Sequence, residues 1–449
     1  MPSLMVGSVA GRAEQARGSA WFLLGILFFG AILSYTDRQV INLLVDPMRQ
    51  AFSMSDLQIS LIQGAAFAVV YSLVGLPMGR CADRFNRRNL ILGGITVWSI
   101  ATAACGLAGN LTQLVLARMC VGVGEAALFP AGVSLVHDIF PERQRGTALG
   151  ILMTGMVMGS GAATVVGGTL LDWFTTAAAT HSPSIGHLAP WREVLLAAAA
   201  PGVVLAALLL GFREPVRRQV QLGRPVVTFA QTMGYLFTHR RAVGTLLLAI
   251  ALAAMADFAI SAWIPALLMR VHHLSPGQVG NDLGLILILF SVAGTLLGGY
   301  ISDALGRAGR DDSRLIPVIG AFILALPLML LPLVRNSHVL LGMYALYTLL
   351  TSLAGTSGIT ALLGVVPDSI RGFATSLVSF LNTAIGLGLG PSLVGFTSEY
   401  VLHDTAVGGR SIVVVAIPTL GAALLLLLVA LPAYGRLRAA LHSTRSDSY

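Results

Sequence analysis

Twelve apolar runs, most of twenty residues or more, follow one another along the 449-residue chain, separated by short arginine-bearing segments. A helix needs about 20 predominantly apolar residues to cross roughly 30 Å of hydrocarbon at 1.5 Å per residue. In hydrocarbon, peptide groups must bond within their own segment, which leaves helices as the form such runs take. The runs therefore predict an all-α membrane protein with spans 1 to 12 near 20–45, 57–79, 88–108, 111–137, 145–172, 191–212, 241–269, 278–302, 314–334, 337–366, 371–399 and 411–434. Several contain Gly or Pro, which membrane helices tolerate. Hydrophobic residues make up 55% and charged residues 11% of the chain. Soluble domains carry about a quarter charged residues, so little of this chain is left for one.

The formal charge of +8 would suit a nucleic-acid partner only if the arginines gathered on one solvated domain, and they are spread over the loops instead. Cys81, Cys105 and Cys120 stand singly, without a CxxC pair or a histidine at metal-ligand spacing, and read as packing residues. Neither a metal nor a cofactor is expected. HExxH and GxSxG are absent and the His272-His273 pair stands in a loop, which weighs against a membrane enzyme. The first 19 residues lack a short apolar region followed by a small-residue cleavage site, so the first span is expected to be retained.

If the N-terminus is cytoplasmic, cytoplasmic segments hold 21 arginines and the opposite side holds only Arg49, Arg192, Arg270, Arg335 and Arg410. That imbalance predicts both termini in the cytoplasm and a multi-pass protein of the inner, or plasma, membrane.

The loop after span 2 reads GRCADRFNRR from Gly79 and the loop after span 8 reads GGYISDALGR from Gly298, which places Asp83 and Asp303 at matching positions. PERQRGTA from Pro141, after span 4, returns as PDSIRGFA from Pro367, after span 10. Two matched loop pairs at nearly one offset predict a duplicated six-helix unit: a bundle over 1–212, a cytoplasmic linker over 213–240 and a second bundle over 241–449. Within the linker, PVVTFAQTMGYLF suggests an amphipathic helix on the membrane surface.

With these features in place, the chain resembles the major facilitator superfamily over nearly its whole length. GRCADRFNRR is similar to that family's loop signature Gly-x-x-x-Asp-Arg-x-Gly-Arg-Arg, with Asn86 in place of a glycine; asparagine also tolerates a left-handed turn. RMCVGVGEAALFPAG from Arg118 resembles the family's span 4 motif, and GLGLGP from Gly386 its glycine-rich bending motif. The resemblance implies twelve helices in two pseudo-symmetric halves that transport by alternating access as a monomer. It also implies cytoplasmic gating roles for Asp83, Arg84 and Arg87, for their counterparts Asp303 and Arg307, and for Arg145 and Arg371 of the second loop pair. YTDRQVINLLVDPMR from Tyr35, the Gly-x-Gly-Glu-Ala segment ending at Ala126, and Trp263-x-Pro265 look most like the spinster-like branch. That branch is associated with lysolipids and sphingosine phosphates, and the neighbouring anion:cation symporter branch with hexuronates and aromatic acids.

Ionisable residues inside spans are costly, about 2.5–3.5 kcal/mol for each central Asp or Arg on insertion scales. The first half keeps Asp37, Arg38, Arg118 and Glu125, whose summed cost approaches roughly 10 kcal/mol, as much as the whole stability of many domains. They must pair, face water or protonate. At 1.5 Å per residue, Asp37 and Arg118 lie level at about 10–12 Å from one end of their spans, and Glu125 at about 21 Å, where loss of water opposes a charge most. Arg118 and Glu125, seven residues apart, share a helix face. Asp37 and Glu125 are the candidate proton-binding carboxylates, with Arg38 and Arg118 as switchable counter-ions or substrate anchors; functional carboxylates at matching positions of spans 1 and 4 are what the spinster resemblance implies. The alternative is a fixed buried network that only sets packing.

Asp257, in span 7, is the only acid at membrane depth in the second half, and no base lies at similar depth there. It is a candidate for substrate contact, a third proton or a hydrogen bond within the bundle. Tyr35, Gln63, Tyr71, Thr356 and Asn382 are further candidate substrate contacts, although hydroxyls in spans often bond their own backbone. The expected substrate is an amphipathic lysolipid-like molecule moved with protons. An organic acid, such as a hexuronate or aromatic acid, and a drug exported from the cell are the alternatives.

Overall fold

In the computed structural model, residues 3–179, 188–212, 214, 229–307, 314–367, 370–403 and 409–446 are described, those of 3–19, 76, 142, 229–230, 306–307 and 442–446 by their backbone alone. Among them there is no strand, and twelve helical segments are long and apolar enough to cross a membrane. Spans 1 to 6 run Ala20–Leu43, Asp56–Gly75, Arg87–Leu107, Leu111–Ile139, Arg143–Ala179 and Pro190–Leu210. Spans 7 to 12 run Arg240–His272, Pro276–Leu305, Ile316–Leu333, Ser337–Gly364, Arg371–Val401 and Gly409–Leu441. The predicted spans coincide with these apart from residues at their ends.

Local chemistry sets several boundaries. Asn110 and Asn336 start spans 4 and 10 by accepting from backbone N–H groups of the first turn, which otherwise have no partner. Ser55 and Gln58 form a reciprocal capping box at the start of span 2. Asn86 corrects one expectation: its φ of −64° is not left-handed, and its side chain accepts from the Asn89 N–H at 2.8 Å to start span 3. The signature glycine is replaced here by a helix cap.

Spans 1, 2, 4 and 11 change their winding along their length. Span 1 is α-helical to Gln39 and tightens to a 3-10 turn over Val40–Leu43. Span 4 stops at Glu125 and resumes at Leu128; Pro130 lacks the N–H that would bond back to residue 126, which weakens the helix ladder at this break. Span 11 widens to a π-turn over Asn382–Leu387, and span 2 has another over Leu61–Ala65.

The chain divides into two compact units. The first holds 1–38, 70–163 and 177–220. Small residues let its backbones meet: a Cβ on Gly124 would lie 2.6 Å from the Trp98 nitrogen and 2.7 Å from the Gly94 carbonyl. Spans 3 and 4 therefore touch backbone to backbone. Gly155 and Gly159 bring span 5 equally close to the Phe28 and Ile32 carbonyls of span 1.

The second unit holds 39–69, 164–176 and 221–449. Span 7 runs through it with Trp263 fully buried, its indole donating to the Pro391 carbonyl at 3.2 Å. The glycines of the GLGLGP segment serve this contact: a Cβ on Gly390 would lie 2.6 Å from the Met255 carbonyl and one on Gly386 2.9 Å from Ala254. Of the linker, residues 213 and 215–228 lie outside the described residues; Phe229–Thr238 is a helix whose Tyr235 hydroxyl donates to the Val365 carbonyl at 2.6 Å.

The backbone contact at Gly124 predicts that Gly124→Ala lowers the thermal midpoint of the purified protein by the equivalent of about 1–3 kcal/mol, a usual cost of overpacking. Gly93→Ala, whose Cβ meets nothing within 4 Å, leaves it unchanged.

Candidate functional site

The winding changes of spans 1 and 4 lie at Asp37, Arg38 and Glu125, three of a group of four buried charges in the first unit that Arg118 completes. Asp37, Arg38, Arg118 and Glu125 are all less than a tenth exposed. Arg38 Nη2 donates to Glu125 Oε2 at 2.6 Å, and the Ser34 hydroxyl donates to the same oxygen at 2.8 Å. Among the described residues, none donates a hydrogen bond to Glu125 Oε1. Two rings hold the guanidinium from its sides, Tyr35 and Tyr71 each with its centroid 4.8 Å from the Arg38 Cζ, the arrangement in which ring quadrupoles attract a cation.

Arg118 acts on span 1 through its backbone. Its Nη1 donates to the Asp37 carbonyl at 2.9 Å and its Nη2 to the Arg38 carbonyl at 3.0 Å. Both carbonyls lie in the last turn before the helix ends at Gln39, where C=O groups lose their intrahelical partners. The guanidinium thus caps a helix end at membrane depth and fixes where Arg38 projects. The carboxyl of Asp37 lies near Arg118, Glu125 and the Thr102 hydroxyl, and its Oδ1 accepts no hydrogen bond. All four charged residues picked out in the sequence therefore share one buried cluster. Ser34, one turn before Arg38, was missed; its i, i+4 spacing was the available signal.

The second unit holds the remaining candidates. Gln63, 1% exposed, donates from its amide to the Ala262 carbonyl at 2.9 Å and to Asn42 Oδ1 at 3.1 Å. Gln63 and Asn382 both sit in π-turns, a form that recurs at functional sites. Asp257 and Asn382 line a cavity of about 230 Å³ together with Thr351 and Ser352. Thr356 gives its hydroxyl to the Ser352 carbonyl of its own helix at 3.2 Å.

Of the candidate gating residues, Arg87 is 1% exposed and bonds Asp138, Glu214 at 2.9 Å and the Ser134 hydroxyl at 3.1 Å. This ties the start of span 3 to the end of span 4 and to the segment after span 6. Arg145 donates to the Phe140 carbonyl at 3.1 Å. Asp83, Arg84 and Asp303 are exposed and Arg371 half-buried; the Arg307 side chain lies outside the described residues. Asp138 and Glu214 were not singled out from the sequence, nor was an ion cluster in the second unit. There Arg270 bonds Asp46 at 2.6 Å and lies 3.8 Å from Asp56, which is 3.5 Å from Arg49. Apart from Arg49 and Asp56, which are seven residues apart, the partners are tens to hundreds of residues away, so spacing carries no signal for them.

A family model for the Major Facilitator Superfamily matches residues 27–391. A Mycolicibacterium smegmatis "MFS-type efflux pump" is 29% identical over 93% of this chain and 91% of its own length. An Escherichia coli "Probable L-galactonate transporter" is 26% identical over 74% of this chain and 73% of its own length. The Xenopus tropicalis "Sphingosine-1-phosphate transporter SPNS2" is 25% identical over 85% and 74%. Among solved structures, a bacterial homolog to the human lysosomal transporter Spinster, inward-facing and unoccupied, matches in fold with a TM-score of 0.77 and 24% identity, over 94% of this chain and 97% of that one.

The buried pair predicts a specific energetic pattern. Arg38→Met leaves Glu125 without its cation and lowers stability by roughly 3–5 kcal/mol, whereas Arg38→Met with Glu125→Leu recovers most of that loss. Thermal unfolding of the three proteins in one detergent measures it; equal losses in the single and double variants would contradict the pairing.

Proposed function

The chain belongs to the Major Facilitator Superfamily, and from that membership we propose that it is a proton-coupled secondary transporter of an amphipathic solute. It is a transporter, not an enzyme, and its likeness to spinster proteins, read from spans 1, 4 and 7, recurs among its curated relatives. One observation carries the proton-coupled reading: Arg38 is bonded to a single oxygen of a buried glutamate whose other oxygen is unoccupied.

The geometry supports an exchange of partners. With Glu125 ionised, Arg38 is neutralised and the cluster is stable without substrate. A phosphate or carboxylate of the solute competes for the Arg38 donors, which suit such groups through paired bonds. Glu125 then lacks its cation in a site where water is excluded, and a proton on Oε1 removes the unpaired charge. Substrate binding and protonation become one linked equilibrium, and a proton gradient biases it. Asp37, beside Arg118, is the second proton-binding carboxylate in this reading.

The rest of the reading follows the same logic. The six-helix halves are 1–212 and 241–449, joined by the 213–240 linker, with both termini in the cytoplasm of a cell whose inner membrane holds the protein. Arg87, held by Asp138 and Glu214, stiffens the cytoplasmic ends of the first half, where Asp83, Arg84 and Arg145 also lie. Asp303, Arg307 and Arg371 are their counterparts in the second half. The Arg270, Asp46 and Asp56 cluster ties spans on the opposite side, and it must open when that side opens.

An amphipathic substrate is favoured over a small dianion because the charges of the first half are matched, in the second, by an acid in a mainly apolar cavity. The galactonate transporter among the relatives keeps a second reading, an organic-acid symporter, in contention.

Proton-gradient-driven movement of a labelled lysophospholipid across proteoliposomes, with hexuronate and aromatic acids as competitors, separates the two. The expected result is lipid movement that needs the gradient and falls at least tenfold in Glu125→Gln and Asp37→Asn. Competition by the acids with no lipid movement would establish the second reading instead, and full gradient-driven transport by both variants would remove the coupling.

A further inference from the structure

The cavity around Asp257, lined within the second unit, has an unusual balance of chemistry. Its volume of about 230 Å³ falls below the roughly 300–1,000 Å³ that enclose drug-sized ligands, so it takes one end of a molecule. Spans 7, 9, 10, 11 and 12 line it, and no Arg, Lys or His is among the lining residues. Several of its polar groups offer acceptors. Besides the Asp257 carboxylate, Asn382 turns into it with an Oδ1 that accepts no hydrogen bond. The hydroxyl of Thr351, on the same wall, is donated to the Thr348 carbonyl at 3.3 Å and so presents lone pairs.

Tyr347 lies near Asp257, but its hydroxyl makes no hydrogen bond among the described residues and would be a single donor for a group with about four acceptor positions. A carboxylate held at membrane depth without a cation is expensive by several kcal/mol, and an uncommitted amide oxygen beside it adds a second unmet acceptor. What is missing is a positively charged group with several N–H donors. Apolar walls, Phe322, Leu420 and Leu427 among them, continue from the polar end and suit an alkyl chain.

We infer that this cavity is a binding site for the ammonium group of an amphiphile, with oxygens of Asp257 and Asn382 accepting hydrogen bonds from its N–H groups and the apolar walls holding the first carbons of its chain. The inference rests on the reading of the protein as a carrier of amphipathic solutes, and it adds the cationic character of the group taken at this site. One lining residue offers a way to close it: a Cβ on Gly355 meets no atom within 4 Å, so a larger side chain there grows into open space rather than into a helix.

Isothermal titration of the protein in lipid nanodiscs, against empty nanodiscs, tests the inference without a proton gradient and with Glu125 unaltered. The probes are octylammonium, which has no anionic group for Arg38, the uncharged 1-octanol, and sodium chloride as competitor. Saturable octylammonium binding is expected in the wild type, weakened at least tenfold in Asp257→Asn, restored in part by Asp257→Glu and blocked by Gly355→Leu, with thermal midpoints confirming that each variant folds. Octanol binding should not respond to Asp257→Asn.

No saturable octylammonium binding by the wild type would overturn the inference, as would equal binding by folded Asp257→Asn. Displacement by millimolar sodium would instead make this an inorganic cation site. Because no step involves Glu125 or a gradient, these outcomes are independent of whether transport proves proton-coupled.

Discussion

One buried ion pair organises the first unit: Arg38 against Glu125, at 2.6 Å, where spans 1 and 4 both depart from regular helix. Neither charge is tolerable alone in hydrocarbon, so each fixes the other. The surrounding chemistry serves that constraint. Arg118 caps the carbonyls that the end of the first helix leaves open, Ser34 adds a second bond to Glu125, and Tyr35 and Tyr71 hold the guanidinium by its faces. A network of this kind is rigid while satisfied and unstable once a single member is removed. In the proposed mechanism that property makes it a switch: a competing anion or a proton changes which arrangement is lowest in energy.

Within each unit, glycine contacts make the helices behave as solid bodies. Gly94 against Gly124, Gly155 against Phe28 and Gly390 against Met255 bring backbones so close that a methyl group would not fit. Small movements at a ligand are transmitted by such packing rather than absorbed. The π-turns carrying Gln63 and Asn382 are the exceptions, places where the regular ladder is opened and a polar side chain is redirected.

Much of this was legible in the sequence because hydrocarbon imposes a simple code. Apolar runs located all twelve spans, and the scarcity of charge in them made Asp37, Arg38, Arg118 and Glu125 conspicuous before any geometry was known. Level depths and helix periodicity were enough to expect one cluster. The pairing itself was not legible. Arg118 reaches carbonyls of span 1, which no side-chain pattern announces, and Arg38 with Ser34 claims Glu125 because the helix breaks near Pro130 and Gln39 set their directions. Asp138, Glu214, Asp46, Asp56 and Arg270 lie near span ends, where charges are common, so nothing in composition marked them. Asn86 was read through its tolerance of a left-handed turn, and its side chain in fact serves as a helix cap, a role its residue type equally allows.

The central claim is that an anionic group displaces Glu125 from Arg38 and that Glu125 then takes a proton. Its most direct test is the pH change in weakly buffered, detergent-solubilised protein when a saturating lysophospholipid is added at constant ionic strength. The account predicts net proton uptake by the wild type, abolished in Glu125→Gln even where lipid binding is retained. Proton uptake of equal size in wild type and variant, with binding intact in both, would contradict it.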